Sequence, residues 1–367
     1  DLVKEETGLW IVTIHRPDKA NSLTADMLER LCEIVESARA ARALVLTGTG
    51  KVFSAGADLD AARAGLALSP LWERLSGALA RLDAVMEALA GPDFVALDRR
   101  DAPWADRAEI LRVHSEAYLS RLEAEVPQHG SVALDADTHV MAGSLEAAFR
   151  GVGANVAAVD AVMAGEIANA FCAIRPPGHH AETATPMGFC LFGNVSIAAK
   201  RALDFHGLER VAIVDFDVHH GNGTQDLLWA EERVLFVSSH QMPLWPGSGN
   251  PHEKGLHNNV MNVPLPPRTD GRGFRAAMEQ QVLPALDDFA PQMILISAGF
   301  DAHAADPLAQ LELLEDDFAW ITHALCDLAD RHAEGRVVST LEGGYDLDAL
   351  AASTAAHVNV LMEWGGS

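Results

Sequence analysis

The sequence predicts an α/β protein with a mainly parallel sheet, and two observations support this fold class. Short apolar segments of strand length alternate with longer segments that have the periodicity of helices. Polar residues directly follow each apolar segment, and in a parallel sheet the carboxyl ends of the strands, where ligands bind, meet at one edge. The predicted strands are 168–174, 211–216, 234–237, 293–297 and 337–341.

The predicted helices precede and separate these strands. A loop rich in Gly, Pro and Asn is expected at 245–257. In helix 106–123 the face expected to be buried contains Leu111, His114, Ala117, Tyr118 and Leu122. The predicted helices are 82–89, 106–123, 144–164, 194–205, 274–289 and 316–332.

The composition limits the classes of function. Of the 367 residues, 49% are hydrophobic and 22% charged, and no apolar run reaches the ~20 residues that span a bilayer. The net charge of −25 argues against nucleic acid as a partner and favours cationic partners. We expect no membrane partner. The dispersed cysteines Cys32, Cys172, Cys190 and Cys326 predict reduced core thiols and a cytoplasmic protein.

The first part of the chain has a pattern of its own. A strand over 9–14, a helix over 24–40 opened by Thr24 and a strand over 43–46 precede the turn sequence FSAGADL. With HRPDKANSL and ALVLTGTGKVFSAGADL, this order resembles the N-terminal part of the crotonase (enoyl-CoA hydratase/isomerase) family.

The crotonase resemblance covers about residues 8–82 and implies an oxyanion hole made by the backbone N–H groups of Ala20 and Gly56. It ends before the remaining helices and catalytic acids of that family. We therefore expect residues 1–82 to be a structural fragment, a partial ββα segment in which FSAGADL is an ordinary turn. Residues 83–367 are expected to form the catalytic domain.

The stretch IVDFDVHHGNG, residues 213–223, carries the clearest chemical signal. Alternate residues of a strand share a face, so Asp215, Asp217 and His219 project together at the strand end. Clustered carboxylates are costly to bury without a cation or a proton, and a divalent metal would supply the charge. The alternative is that both aspartates cap the next turn and that His219 lies on the surface.

Asp301, which follows another strand, completes an Asp, His, Asp set with open coordination positions. Such a set suits zinc acting on water, while ligand type alone leaves Fe(II), Co(II) and Mn(II) open. Asp215 is better placed behind the metal, where a carboxylate can orient a histidine ring.

Two further strand ends carry candidate catalytic groups. His179 and His180 follow Pro-Pro-Gly and could be metal ligands, acid and base groups, or surface residues. Beside a metal that lowers the pKa of water to about 7, a histidine is the expected general base. Tyr345 follows Gly343 and Gly344, so its phenol could stabilise an oxyanion; a half-buried core tyrosine is the alternative.

Six ordered motifs, RPPGHH, GFC, DFDVHHGNGTQ, PGSG, SAGFDAHAADPL and LEGGYD, are similar to those of the zinc-dependent histone deacetylase and acetylpolyamine amidohydrolase superfamily. The similarity covers about residues 83–363 and resembles the class II and bacterial branch, since Asn222 stands where class I members have Asp. It implies an arginase/deacetylase-like three-layer fold, a catalytic zinc ion and a structural potassium ion.

The resemblance also implies a role for each matching residue. The implied zinc ligands are Asp217, His219 and Asp301. The implied catalytic groups are His179 paired with Asp215, His180 paired with Asn222, and Tyr345 as the oxyanion donor. The implied tunnel and rim residues are Asp137, Gly188, Phe189, Trp245, Leu308 and Gly343. The implied potassium site contains Asp215, Asp217, His219, Ser238 and Ser239.

The chain departs from the deacetylase pattern in two places. The family begins with its own strand and a loop close to HPERP, where this chain has crotonase-like sequence instead. The apolar strand 9–14 is therefore expected to substitute for the missing strand, and deletion of residues 1–82 is expected to destabilise the catalytic domain. The usual FNN is Phe192-Gly193-Asn194 here.

These observations predict hydrolysis of an N-acyl amide. Zinc and Tyr345 would polarise the carbonyl while His180 takes a proton from water, and His180 or its protonated neighbour would protonate the leaving amine. Acyl-lysine peptides are the expected substrates and acylated polyamines or other small amines the alternative; a homo-oligomer is compatible with the sequence.

Three other classes of function agree less well with the residues. An arginase-like ureohydrolase would need a second metal cluster and has no use for Tyr345. A crotonase-type acyl-CoA enzyme would need acids that this chain lacks. A non-catalytic binder of acyl-lysine would be expected to have lost Tyr345 or a histidine.

Overall fold

The computed structural model describes residues 2–4, 9–16, 22–37, 43–48, 81–128 and 131–365. The chain divides into two compact units, Asp1–Asp83 and Ala84–Ser367. Each unit has its own sheet and its own apolar cluster.

The first unit contains a three-stranded sheet and a helix. Its elements are β1 Leu2–Lys4, β2 Leu9–Ile14, α1 Ala25–Ser37 and β3 Ala43–Gly48. The hydroxyl of Thr24 accepts a hydrogen bond from the backbone N–H of Met27 at 3.3 Å, as expected of a capping residue. Leu28, Leu31 and Val35 are buried at helical spacing on one face of α1, against Val12 and Ile14 of β2.

Strand β2 lies in the middle of this small sheet, antiparallel to β1 and parallel to β3. Both of its edges are thus occupied by strands of the first unit. The prediction that strand 9–14 substitutes for a strand of the large parallel sheet is therefore wrong. The predicted oxyanion residues Ala20 and Gly56 lie outside the described residues.

The second unit is built on a six-stranded sheet in which every neighbouring pair is parallel. The strand order is β6-β11-β10-β7-β8-β9, and a separate antiparallel hairpin pairs β4 with β5. The five strands predicted for the large sheet are confirmed, whereas β9 and the hairpin strands β4 and β5 were not predicted. The strands are β4 Ser131–Ala133, β5 His139–Met141, β6 Asn169–Cys172, β7 Val211–Asp215, β8 Val234–Gln241, β9 Val260–Leu265, β10 Met293–Ala298 and β11 Val337–Leu341.

The helices from residue 81 onward follow the predicted pattern with several differences. In chain order they are α2 Arg81–Leu89, α3 Arg107–Ile110, α4 Glu116–Glu125, α5 Ser144–Met163, α6 Asn194–Asp204, α7 Asn222–Leu227, α8 Gly271–Ala277, α9 Leu283–Phe289, α10 Glu315–His332 and α11 Leu347–Gly365. A 3-10 turn forms at Pro92–Phe94 and a π-helical turn at Met278–Val282.

Two predicted helices are interrupted, and two helices, the short α7 and the long α11, were not predicted. Segment 106–123 divides into α3 and α4 because Ser115 starts a new helix by accepting from the Tyr118 N–H at 3.1 Å, and Leu111 is exposed. Segment 274–289 contains the π-helical turn before Pro284, which starts α9. Helix α11 was missed.

Alternate residues of the central strands enter separate cores. Val211 and Ile213 of β7 pack in an apolar cluster with α5 and α6. Ala212 and Val214 pack in a second cluster with α10 and α11. Because successive side chains of a strand point to opposite faces, helices cover both faces of the sheet. This confirms the predicted three-layer α/β fold.

All four cysteines lie within the described residues and are buried free thiols, as predicted. None of the helices in the described ranges combines the length and the continuous apolar surface that crossing a bilayer requires.

Candidate active site

The candidate site lies at the carboxyl edge of four adjacent strands, β6, β11, β10 and β7. The histidine pair His179 and His180 follows β6, and Asp217 and His219 follow β7. Asp301 follows β10, and Tyr345 follows β11. The parallel topology thus brings together residues that are up to 166 positions apart in the chain (345 − 179).

Asp217, His219 and Asp301 form a buried group whose candidate ligand atoms all lie within 4.8 Å of one another. Nδ1 of His219 is 3.0 Å from Oδ2 of Asp301 and 3.3 Å from Oδ1 of Asp217. The other oxygen of each carboxylate is held by the backbone, because Val218 N–H donates to Asp301 Oδ1 and Gly343 N–H donates to Asp217 Oδ2, both at 2.8 Å. These bonds fix the direction of each carboxylate.

The charges of this group fit a divalent cation. Burial and then the charge of Asp217 raise the pKa of Asp301 to about 7. Burial would lower the pKa of His219, but its hydrogen bonds to Asp217 and Asp301 raise the pKa to about 10. Two buried carboxylates therefore compete for positive charge, and a metal ion bound by one nitrogen and two carboxylates would supply it. Among the described residues, this is the group that could hold such an ion.

The two adjacent histidines have different partners. His179 Nδ1 lies 2.9 Å from Oδ2 of Asp215, and His180 Nδ1 lies 2.8 Å from Oδ1 of Asn222. Both pairings were predicted. The amide of Asn222 also donates to Glu182 Oε1 at 2.8 Å, which directs its oxygen towards His180. Nδ1 of His180 then carries the proton, so Nε2 is the nitrogen that can accept one.

The partners give the histidines opposite charge states. Burial would lower the pKa of His179, but the charges of Asp217 and Asp215 raise it well above its usual value. Burial, reinforced by the charge of His179, lowers the pKa of His180 well below its usual value. His180 is therefore the neutral member of the pair and the one able to act as a base.

Sequence analysis missed Glu342, which directly follows β11 and is 1% exposed. Its Oε2 accepts from the backbone N–H groups of Gly178 at 2.7 Å and His179 at 3.2 Å, and its Oε1 accepts from the Ser297 hydroxyl at 3.1 Å. Burial raises the pKa of Glu342 to about 7, against the opposing charge of His179. The carboxylate thus anchors the loop of the histidine pair, and its place between a strand end and Gly343 was the available signal.

Sequence analysis also missed Asp306, which is 7% exposed. Its two oxygens accept from the backbone N–H groups of Tyr345 at 2.7 Å and Leu308 at 2.9 Å. Burial raises the pKa of Asp306, while the N–H groups of Leu308, Tyr345 and Asp346 lower it. Asp306 lies within SAGFDAHAADPL, so the motif was recognised but this role was not.

Aromatic side chains stand around the opening of the site. The Trp245 ring is 4.7 Å from the His180 ring and 6.1 Å from the His219 ring, and the Phe189 ring is 6.2 Å from that of Tyr345. Phe189 and Trp245 are 37% and 40% exposed, so both line a surface that a ligand can reach.

Two glycines allow this close packing. A Cβ at Gly188, where φ is +56°, would lie 2.4 Å from Cδ2 of His180. A Cβ at Gly343 would lie 2.2 Å from Oδ2 of Asp301. Both predicted tunnel glycines are thus at positions where a side chain would collide with the histidine pair or the metal group.

The remaining predicted rim residues lie at the surface. Leu308 is 48% exposed, and Asp137 is exposed in the turn between β4 and β5. The hydroxyl of Thr138, next to Asp137, accepts from the Phe189 N–H at 3.1 Å, so this turn borders the aromatic wall. A contact between Asp137 and a substrate stays a prediction.

The predicted potassium residues lie side by side. Ser238 is paired with Asp215 in the register of β7 and β8, and the Ser239 hydroxyl donates to the Asp215 carbonyl at 3.5 Å. The Ser238 hydroxyl is 3.0 Å from Nδ1 of His240. Binding of potassium here stays a prediction.

Comparison with known proteins places both parts of the chain. The family profile described as "Histone deacetylase domain" matches residues 77–361, and that described as "Enoyl-CoA hydratase/isomerase" matches residues 4–76. Both resemblances predicted from sequence motifs are therefore confirmed.

Individual relatives agree. A histone deacetylase-like amidohydrolase of Pseudomonas aeruginosa is 44% identical over 253 residues, 68% of this chain and 66% of that protein. A probable deacetylase of Archaeoglobus fulgidus is 40% identical over 247 residues, 66% of this chain and 68% of that protein. The crystal structure of the HDA15 HD domain matches with a TM-score of 0.73 and 32% identity, over 77% of this chain and 80% of that one.

Proposed function

Because the chain belongs to the histone deacetylase family over residues 77–361, we propose that it is a zinc-dependent hydrolase that removes acyl groups, chiefly acetyl, from N-acylated amines. One observation carries this proposal: a buried Asp, His, Asp group lies beside a histidine pair in which His179 is paired with a carboxylate and His180 with an amide. Hydrolysis of an amide needs a base for water and an acid for the leaving amine, and this arrangement supplies both.

In this proposal Asp217, His219 and Asp301 hold the zinc ion. Zinc, when bound, polarises the amide carbonyl as a Lewis acid and lowers the pKa of water. The three residues leave coordination positions open, as a catalytic metal requires. A structural potassium ion is proposed beside them, at the backbone around Asp215, Asp217 and His219 together with Ser238 and Ser239.

The remaining chemistry belongs to the side chains. Neutral His180 accepts a proton from the attacking water, and the Tyr345 hydroxyl donates a hydrogen bond to the carbonyl oxygen as negative charge develops. When the C–N bond breaks, protonated His180 or charged His179 delivers a proton to the amine. The products are a carboxylate and a free amine.

The aromatic opening indicates the substrate class. Phe189 and Trp245 offer two ring surfaces that suit a slender apolar chain, such as the methylene stem of lysine or of a polyamine. We propose acetyl-lysine peptides as the main substrates, because the opening is at the surface, where a peptide backbone can remain outside. Acetylated polyamines have the same stem and are the comparison that the assay must include.

The test measures acetate released from an acetyl-lysine peptide and from an N-acetylated diamine. We expect amide hydrolysis that disappears when a chelator removes the metal and returns when zinc is added. Hydrolysis of neither substrate, or full activity in metal-free protein, would contradict the proposal. A higher kcat/KM for the diamine would still support amide hydrolysis, but it would make small acylated amines, and not peptides, the main substrates.

A further inference from the structure

We infer that Asp306 is a positioning residue that sets the location of the Tyr345 phenol for the reaction. The inference rests on the proposed function, in which Tyr345 stabilises the developing oxyanion. Asp306 lies five residues after Asp301, in the loop that follows β10, whereas Tyr345 lies in the loop that follows β11. A single carboxylate therefore joins two loops of the site.

The backbone leading to Tyr345 needs such a restraint. Phe300 N–H donates to the Gly343 carbonyl at 3.0 Å, which ties the two loops together at the base of the site. Gly344 comes next, with φ at +128°, a conformation open to glycine. The backbone could therefore leave Gly344 in several directions. The bond from Tyr345 N–H to Asp306 Oδ2, at 2.7 Å, selects one of them.

The other oxygen of the same carboxylate accepts from Leu308 N–H at 2.9 Å. Leu308 is a predicted residue of the tunnel rim and is 48% exposed. Asp306 itself is held by its own N–H, which donates to the His303 carbonyl at 2.9 Å. The carboxylate thus fixes Tyr345 relative to the tunnel wall and to the loop that carries Asp301. Asn at position 306 could accept only one of these two bonds, because its amide nitrogen is a donor.

The first test is a double-mutant cycle in the full-length, zinc-loaded protein, with kcat and KM measured on an acetyl-lysine peptide. Tyr345→Phe should lower kcat by about 100-fold. Asp306→Asn should lower kcat by about 10-fold with less than about a 2-fold change in KM, because displacing a reacting group costs transition-state stabilisation. In the Tyr345→Phe background, Asp306→Asn should change kcat by less than about 2-fold. Equal losses in both backgrounds would overturn the inference.

The matched control is Asp348→Asn, which removes a carboxylate from an exposed position three residues after Tyr345 (348 − 345). Its kcat should equal that of the unmodified protein. If Asp306→Asn does not fold, Asp306→Glu replaces it in the cycle, since it keeps both acceptor oxygens but displaces them. The loss of kcat that Asp306→Glu causes in the unmodified protein is then compared with the loss that it causes in the Tyr345→Phe background, and equal losses again overturn the inference.

A second test does not depend on activity. The chain has two tyrosines, Tyr118 and Tyr345, so 3-fluorotyrosine incorporation gives two ¹⁹F resonances, which Tyr345→Phe assigns. Asp306→Asn should shift or broaden the Tyr345 resonance and leave that of Tyr118 in place. An unchanged Tyr345 resonance would overturn the inference. By contrast, absence of amide hydrolysis in the unmodified protein, or an unchanged kcat in Tyr345→Phe, would count against the proposed function alone.

Discussion

At the scale of single residues, the difference between an amide and a carboxylate separates the two histidines. His179 pairs with Asp215 and His180 with Asn222, at almost equal distances. A second carboxylate would draw His180 towards the charged form and remove the base. Asn222 orients the ring without adding charge. This division of roles needs both the pairing and the burial of the pair.

Sequence reasoning predicted these pairs but not the carboxylates that hold the loops. Asp217, His219 and Asp301 could be predicted because their types and their positions after strands match a metal group. Glu342 and Asp306 act on backbone N–H groups far away in the chain. Such a bond leaves no pattern in the sequence, because any residue can supply a backbone N–H.

The metal group gives the first prediction. Asp301→Ala removes one of three ligands and leaves Asp217 and His219, so we expect the variant to lose both bound zinc and amide hydrolysis. Elemental analysis of the purified protein measures the metal, and acetate release measures the activity. Asp316→Ala, at an exposed position, is the control and should keep both. Stoichiometric zinc with normal turnover in Asp301→Ala would contradict the prediction.

Gly188 gives the second prediction. A methyl group there would lie 2.4 Å from His180 Cδ2 and 2.8 Å from Trp245 Cη2. Gly188→Ala should therefore displace the side chain of His180 or of Trp245 and lower kcat/KM by about 10-fold or more.

Gly165→Ala separates this collision from backbone strain. Gly165 also has a positive φ, +69°, but a Cβ added there would meet no atom within 4 Å. We expect Gly165→Ala to lower the melting temperature and to keep full kcat/KM. Equal activity in the two variants would mean that the space around Gly188 is not needed.

At the scale of elements, prediction succeeded where apolar residues are continuous. Strands β7 and β10 are apolar along nearly their whole length and lie inside the sheet, so their sequences identify them. Strand β9 contains Asn262 and Pro264, which interrupt its apolar pattern, and an edge strand tolerates both. The buried side-chain nitrogen of Asn262 donates to Gln225 Oε1 at 2.8 Å, a contact that the sequence does not reveal.

Helix α11 was missed for a related reason. Ser353, Thr354 and His357 are fully buried in its middle, where an apolar stripe would be expected. The Thr322 hydroxyl donates to the Phe318 carbonyl, so His357 Nδ1–H donates to Thr322 Oγ1 at 2.6 Å. The Ser339 hydroxyl donates to Nε2 of His357 at 2.8 Å. A neutral histidine thus links α11 with α10 and β11.

The buried histidine gives the third prediction. Burial lowers the pKa of His357 to about 3, below the ~6.5 of an unfolded chain. Between these values the unfolded chain binds a proton that the folded protein does not. Stability is therefore lost as pH falls below about 6.5, by up to about 1.4 kcal/mol per pH unit from this group.

Urea unfolding at pH 7.5 and 5.0 measures this effect. His357→Gln should lower the free energy of unfolding at pH 7.5 because it disturbs two hydrogen bonds, but its further loss at pH 5.0 should be about 2 kcal/mol smaller than in the unmodified protein. His323→Gln, at a partly exposed position, should keep the original pH dependence. If the free energy of unfolding of His357→Gln fell between pH 7.5 and 5.0 by as much as that of the unmodified protein, His357 would not be a source of the pH dependence.

At the scale of the whole molecule, the matches to two family profiles meet at one point of the chain. The enoyl-CoA hydratase profile ends at residue 76 and the histone deacetylase profile begins at 77. Helix α2 crosses the boundary between the compact units, and Val85 and Leu89 on its second half are buried in the large core. A structural role for residues 1–82 stays a prediction, without the strand substitution that the sequence had indicated.

Truncation gives the fourth prediction. Deletion of residues 1–82 removes the first two residues of α2 and should lower the melting temperature of the remaining chain, because Val85 then lies in a frayed first turn. Deletion of residues 1–76 keeps α2 and should have a smaller effect. Equal melting temperatures for the full chain and the longer deletion would exclude a structural role.

The fifth prediction concerns acyl-CoA chemistry. The full chain should show no enoyl-CoA hydratase turnover, because the match over residues 4–76 is too short to enclose a CoA pocket or to supply its acids. The measurement is the loss of the enoyl thioester absorbance. Turnover that Gly56→Val abolishes would contradict this expectation.

The position of β11 in the sheet has a consequence for folding during synthesis. This strand follows the other five strands of the large sheet in the chain, yet it lies between β6 and β10. Strand β6, which ends 165 residues before β11 begins (337 − 172), pairs with β11 alone among the described strands of the large sheet. The sheet therefore stays incomplete between β6 and β10 until β11 has been synthesised. Until Glu342, which follows β11, has been synthesised, the loop of His179 lacks the carboxylate that anchors it, so the site cannot form before residue 342 is in place.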